Sequence, residues 1–196
     1  PASLEREGRE GKRMLNQQQR MTLLRIARQA IECAAEGKAE QAPQSADDPE
    51  LARAAAAFVT VEGPEGLRGC IGTLEPSLPL YLTISEMAYA AACRDPRFMP
   101  VAPAELDRLH IDISVLSPLE PIAPEKVQPG LHGLMVRQGF RSGCLLPQVA
   151  PRYGWSREEF LSQTCLKAGL PPDAWEHGAE VYAFTAEVFG APLKDV

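Results

Sequence analysis

At 196 residues, with 45% hydrophobic and 23% charged side chains, the chain has the balance of a globular protein with one well-buried core, or one domain with two lobes. A net charge of −6, with no run of lysines and arginines, argues against a protein whose main task is gripping nucleic-acid phosphates. No apolar run is long enough to span a bilayer and no secretory h-region is evident. The five cysteines are scattered and include no C-x-x-C pair, so no metal site is expected and a reducing, cytoplasmic setting is the simplest account.

Residues 1–13, PASLEREGREGKR, are charged and aperiodic and are expected to form a leader outside the fold. Residues 16–36 read as an amphipathic helix. Asn16 is the N-cap, Gln19 completes a capping box, Gly37 is the stop, and Leu24, Ala27 and Ile31 form the apolar stripe. AAFVTVEGPEGLRGCIGT reads as a hairpin turning between Gly63 and Gly66. A second helix is expected from Ser77, ending at RDPRFMP, where prolines forbid continuation. LHIDISVLSP alternates, with Leu109, Ile111, Ile113 and Val115 on one face and His110, Asp112 and Ser114 on the other. Short strands are expected near Leu134–Arg137 and Cys144–Leu146, with a turn over Gly139–Gly143. Ser156 and Glu159 open a capped helix that Gly169 ends, and EVYAFTAEVFG closes the chain as one strand.

This order, helices interrupted by hairpins without regular βαβ alternation, predicts an α+β fold. The expected form is a mostly antiparallel sheet covered by helices, with a smaller β lobe and a cleft between them. Residues 14–192 would be one two-lobed domain and residues 193–196 a tail.

The glycines of LRGCIGT single out one strand, because glycine weakens a strand unless something approaches it closely. Alternation puts Arg68, Cys70 and Gly72 on one face, with Arg68 about 7 Å along the strand from the thiol. Read chemically, Arg68 would favour the thiolate and bind an anion, and Gly72 would leave a gap for a substrate. Read plainly, Cys70 is a small buried hydrophobe, and Gly69 and Gly72 let the strand pack under a helix. A nucleophile needs a base, and His132, in the glycine-flanked turn PGLHGLMV, is the candidate. His110 with Asp112 reads better as a surface pair, and His177 as a turn residue. Arg97 either bonds loop carbonyls or adds a second anion contact. Cys165 reads as core, while Cys33, Cys93 and Cys144 have no charged setting.

LRGCIGTLEP, DPRFMPV, ELDRLHIDISVLSP, GLHGLMVRQG, LLPQVA, KAGLPPDAW and VYAFTAEVF, in this order, resemble the AMMECR-type domain family. Its prokaryotic members are termed AmmeMemoRadiSam system protein A. The resemblance spans about Met14 to Gly190 and implies the two-lobed fold with the segment Leu67–Thr73 bordering the cleft. It implies partnership with a Memo-type protein and a radical S-adenosylmethionine enzyme, and no established reaction. Met99 stands where the family more often has proline. The expected site is therefore Cys70 and His132 for chemistry, with Arg68, Gly69, Gly72 and Arg97 for ligand binding. No cofactor is implied. The ligand would be a small molecule or peptide. The alternative is a non-catalytic binding or adaptor module.

Overall fold

The computed structural model describes residues 14–43 and 47–196, so the expected leader lies outside the described residues. Helix α1 (Gln17–Ala35) begins at the reciprocal cap read from sequence. The Asn16 side chain accepts the Gln19 N–H at 2.9 Å, and Gln19 Oε1 accepts the Asn16 N–H at 2.8 Å. Strands β1 (Ala57–Gly63) and β2 (Gly66–Thr73) form the hairpin, closed by Pro64 and Glu65. Helix α2 (Leu80–Cys93) starts three residues later than Ser77. Residues 77–79 are held in extended form instead, with the Leu78 carbonyl accepting the Ala55 N–H and Pro79 bridged to Ala54.

Strand β3 (His110–Leu116) and the two-residue β4 (Glu120–Pro121) follow. Strands β5 (Gly133–Gln138) and β6 (Arg141–Leu145) make a second hairpin. Its turn has only two residues, with Gly139 at φ 61° in the first central position, so β6 starts at Arg141 inside the expected turn. That is the glycine placement of a II′ turn, whose twist matches the flanking strands. A short helix α3 (Val149–Tyr153) has no counterpart among the elements expected from sequence. Helix α4 (Arg157–Lys167) has the expected cap at Ser156 and Glu159, and Gly169 at φ 70° ends it.

The closing segment is not one strand. It divides into β7 (Glu180–Phe184) and β8 (Ala186–Pro192), which belong to different sheets. Thr185 marks the break. Its N–H donates to the Ser117 hydroxyl and its carbonyl accepts the Ser117 N–H, each at 2.9 Å. Local alternation persists across such a switch, which is why the sequence reads as continuous.

The described residues form two compact units, one of those from 14 to 113 with 189–196, the other of 114–188. The sheets are four-stranded and antiparallel, in the orders β2-β1-β3-β8 and β4-β7-β5-β6. This is the α+β class expected from sequence. In the first unit α1 and α2 pack together, and α2 lies on β1 and β2. Ala57, Val59, Val61, Ile111 and Ile113 are buried, leaving Phe58, Thr60, His110 and Asp112 half-exposed on alternate positions. Ser114 departs from that alternation and is buried. In the second unit Leu134, Val136, Phe160, Leu161 and Cys165 form the centre of the core.

The glycine at position 69 is explained by packing. A Cβ there would run into the Ala91 carbonyl oxygen of α2. Gly69→Ala is therefore expected to cost about 3 kcal/mol, the upper range for overpacking a rigid contact. Urea denaturation checks this, and a cost under about 0.5 kcal/mol would contradict the contact.

Candidate functional site

Strand β2 is the terminal strand of its sheet, so alternate backbone groups face away from β1. Two sequence features manage that edge. The first is a bulge, in which Val61 stands opposite Gly69 and Glu62 opposite Leu67, so Arg68 has no partner on β1. The bulge re-aims the Arg68 side chain, whose stem passes close over Gly63. Its guanidinium forks onto Glu105, Nε to Oε2 at 2.8 Å and Nη2 to Oε1 at 3.0 Å, and Nη2 also donates to the Met99 carbonyl at 3.3 Å. Glu105 Oε1 in addition accepts the Ala102 N–H at 2.9 Å. The Arg68 pairing holds Glu105 below its ordinary titration range, and Glu105 raises that of Arg68.

The second feature is the D-P-R sequence after α2. The Cys70 N–H donates to Asp95 Oδ2 at 2.9 Å, and Arg97 Nη2 donates to the Cys70 carbonyl at 3.4 Å. Arg97 grips Asp95 through Nε to Oδ1 at 2.9 Å and Nη2 to Oδ2 at 2.6 Å. The carboxylate is buried, the Asp95 side chain being 2% exposed, while the Arg97 side chain is 56% exposed. Hydrogen bonds from Arg97, followed by those from the Cys70 and Arg97 N–H groups, hold Asp95 far below the usual carboxylate range despite its burial. The segment from Asp95 to Glu105 thus lies along β2 and meets it through side chains, in place of another strand.

These contacts correct two expectations, those for Arg68 and Gly72. The cation beside Cys70 is Arg97, while Arg68 is directed to Glu105; Asp95 raises the Arg97 pKa most, and the neighbouring Cys70 adds to the rise. Gly72 leaves no gap, since the ring of Phe58, directly opposite, occupies the place of a Cβ. His132 lies in the second unit, where its Nδ1 accepts the Gln128 N–H at 3.1 Å. That bond puts the neutral ring's proton on Nε2, which makes the outer nitrogen a donor and removes the lone pair a base would need there.

Cys70 is a half-buried residue, and its sulfur receives the Thr60 hydroxyl at 3.3 Å from the opposite position on β1. Of the other cysteines, Cys165 is fully buried and its thiol pKa is pushed up by that burial. Cys93 donates to the Tyr89 carbonyl one helical turn back. His110 and Asp112 make a partly exposed pair at 3.4 Å, and His177 is an exposed turn residue whose ring sits on the Asp173 carbonyl. Arg137 pairs with Glu180 and Tyr182 on the surface. Among the described residues no group of three or more histidine, cysteine or acidic side chains could hold a metal ion, and no helix is long and apolar enough to cross a membrane.

Asp95, Glu105, Thr60 and Phe58 are the participants that sequence reasoning missed. Asp95 had a readable signal, an acid two residues before an arginine at a proline-stiffened helix exit. Nothing local marked the other three.

A two-sheet α+β protein with an LRGCIG strand braced by a D-P-R loop is a specific class, and its relatives identify it. The AMMECR1 family profile matches residues 24–189, and the chain belongs to that family. It is similar to a protein of Thermococcus gammatolerans, 47% identical over 180 residues, with 85% of this chain and 87% of that one covered. It is likewise similar to one of Methanothermobacter thermautotrophicus, 44% identical over 184 residues, covering 89% of this chain and 95% of that one. The crystal structure of the uncharacterised protein PH0010 from Pyrococcus horikoshii superposes with a TM-score of 0.80 at 44% identity, over 86% of this chain and 89% of that one.

Removing Arg97 leaves a buried carboxylate with one ligand fewer. Arg97→Ala is expected to cost about 1–3 kcal/mol in chemical denaturation. The Asp95 contribution, read as wild type minus Asp95→Asn, should be constant from pH 8 to about 4. Its folded pKa is depressed, so the stabilisation is complete above the unfolded value of about 3.9 and is lost as pH falls below it. A difference that shrinks between pH 7 and 5 would contradict the pairing.

Proposed function

We propose that the protein works by binding, as an adaptor in a system with a Memo-type protein and a radical S-adenosylmethionine enzyme in the cytoplasm. The partners come from the family resemblance. The observation that carries the binding reading is that both motif arginines are already occupied. Arg68 is forked on Glu105 and Arg97 on Asp95, so neither presents an unpaired guanidinium to an anionic substrate. The motif's charged groups shape a strand edge, which is a surface for recognition. Fold alone assigns no reaction, and among the described residues of its own unit no nucleophile–base–orienter set surrounds Cys70.

One observation favours a second reading, a cysteine-based group-transfer site. Cys70 is half-buried as a residue, its sulfur is bonded by Thr60, and it has the Arg97 cation as a neighbour. Such a setting can support a thiolate.

Two measurements separate the readings. Cys70→Ala should retain co-purification with the two partners, whereas Arg97→Ala, folded by circular dichroism, should reduce it. No co-purification of the unaltered chain with either partner sinks the adaptor, and undiminished binding by Arg97→Ala removes the braced edge as its contact. For the thiol, iodoacetamide modification at pH 7 should be no faster than that of glutathione. A faster reaction, lost in Arg97→Ala, would establish the cysteine reading instead.

A further inference from the structure

The register of the first hairpin shows one backbone position on the β2 edge that the bracing leaves open. Thr60 stands opposite Cys70 and Phe58 opposite Gly72, with no irregularity between them. The Cys70 N–H goes to Asp95, away from β1, so Thr60 and Cys70 are a pair that exchanges no bonds across the hairpin. Two residues on, Gly72 has the same parity. Its N–H and carbonyl therefore also point out of the sheet. At Cys70 both outward groups are taken, the N–H by Asp95 and the carbonyl by Arg97. At Gly72 neither has a hydrogen-bond partner among the described residues, and the residue is partly exposed.

Gly72 has no side chain to shield these groups, since the space for one is filled by Phe58 from the sheet face. The chain then runs on through Thr73 to Glu75. The Glu75 side chain is exposed and makes no ion pair among the described residues, while its backbone is fixed, the N–H on Thr73 Oγ1 at 3.0 Å. An outward donor and acceptor on one strand residue, near an exposed carboxylate on a fixed backbone, match one kind of ligand. A backbone supplies the complementary carbonyl and N–H, and a basic side chain supplies the charge.

We propose that Gly72 is the docking rung for an extended segment of a partner protein, which adds to β2 as a strand and places a lysine or arginine near Glu75. The Asp95–Arg97 brace sets where that segment stops, because the next rung at Cys70 is already filled. The incoming chain is thereby confined to the C-terminal end of β2. This inference rests on the adaptor reading and specifies its contact.

The test uses the full chain labelled with nitrogen-15 and the Memo-type protein as probe. Amide exchange at Gly72 is followed with and without the probe, together with the affinity of Glu75→Lys. Binding should slow Gly72 exchange about tenfold or more, the scale of one added hydrogen bond in a formed interface. Glu75→Lys should weaken binding up to about fivefold, with the loss diminishing at high salt. Glu75 is exposed, so that variant should fold, and Arg97→Lys serves as a control that keeps the brace's charge. A complex in which Gly72 exchanges at its free rate, or one indifferent to Glu75→Lys, overturns the docking rung and leaves the adaptor standing. No complex at all overturns the adaptor reading and the rung with it.

Discussion

The buried carboxylate of Asp95 is the contact on which the rest of the first unit's edge depends. Its position is enforced from two sides, by a strand amide and by a guanidinium. A carboxylate withdrawn from water is costly unless every lone pair finds a donor. Here the donors come from β2, from the Arg97 backbone and from the Arg97 side chain. Because the acid is bound to all of them, the loop after α2 cannot leave the strand without exposing or orphaning it. That loop then carries Met99 and Glu105 to Arg68. One buried acid therefore anchors the loop that meets the terminal strand at Cys70 and Arg68.

This bracing also accounts for the motif's composition. Terminal strands invite unwanted pairing, and proteins blunt them with bulges, charges and covering loops. All three devices meet on β2. The bulge at Arg68, the charge pair at Cys70 and the covering segment from Asp95 to Glu105 are separate solutions placed within a few residues. Gly69 belongs to the same design from beneath, letting α2 approach so closely that the strand cannot shift away from the loop.

Features governed by local chemistry were legible in the sequence. The capping boxes at Asn16 and Ser156, the alternation through Ile111 and Ile113, and the hairpin at Gly63–Gly66 each depend on neighbours a few residues apart. What escaped was decided at long range. Whether Arg68 shares the face of Cys70 depends on a bulge set by pairing with β1, and its partner Glu105 lies 37 positions along the chain. Gly72 looked like empty space because no sequence rule says that Phe58 will fold over it. The switch at Thr185 was hidden because the apolar period survives the change of sheet. Within the candidate site, the residue types were readable while their pairings were not.

Those pairings decide how the thiol should be regarded. Alternation along an ideal strand sets Arg68 beside Cys70, and from that follows an activated nucleophile. The bulge removes the premise and a different cation, Arg97, takes the place, already bound to an acid. A guanidinium neutralised by a bidentate carboxylate has less field to lend a neighbouring sulfur than a free one. Its strength goes into geometry, holding the Cys70 carbonyl and the loop in one arrangement. Cys70 is then best understood through its backbone. Its two main-chain groups are the sites of attachment, and its small half-buried side chain fits between Thr60 and the loop without disturbing them. A residue whose main chain does the binding makes its neighbour two positions on, with the same outward groups and nothing attached, the natural place for another chain to continue the edge.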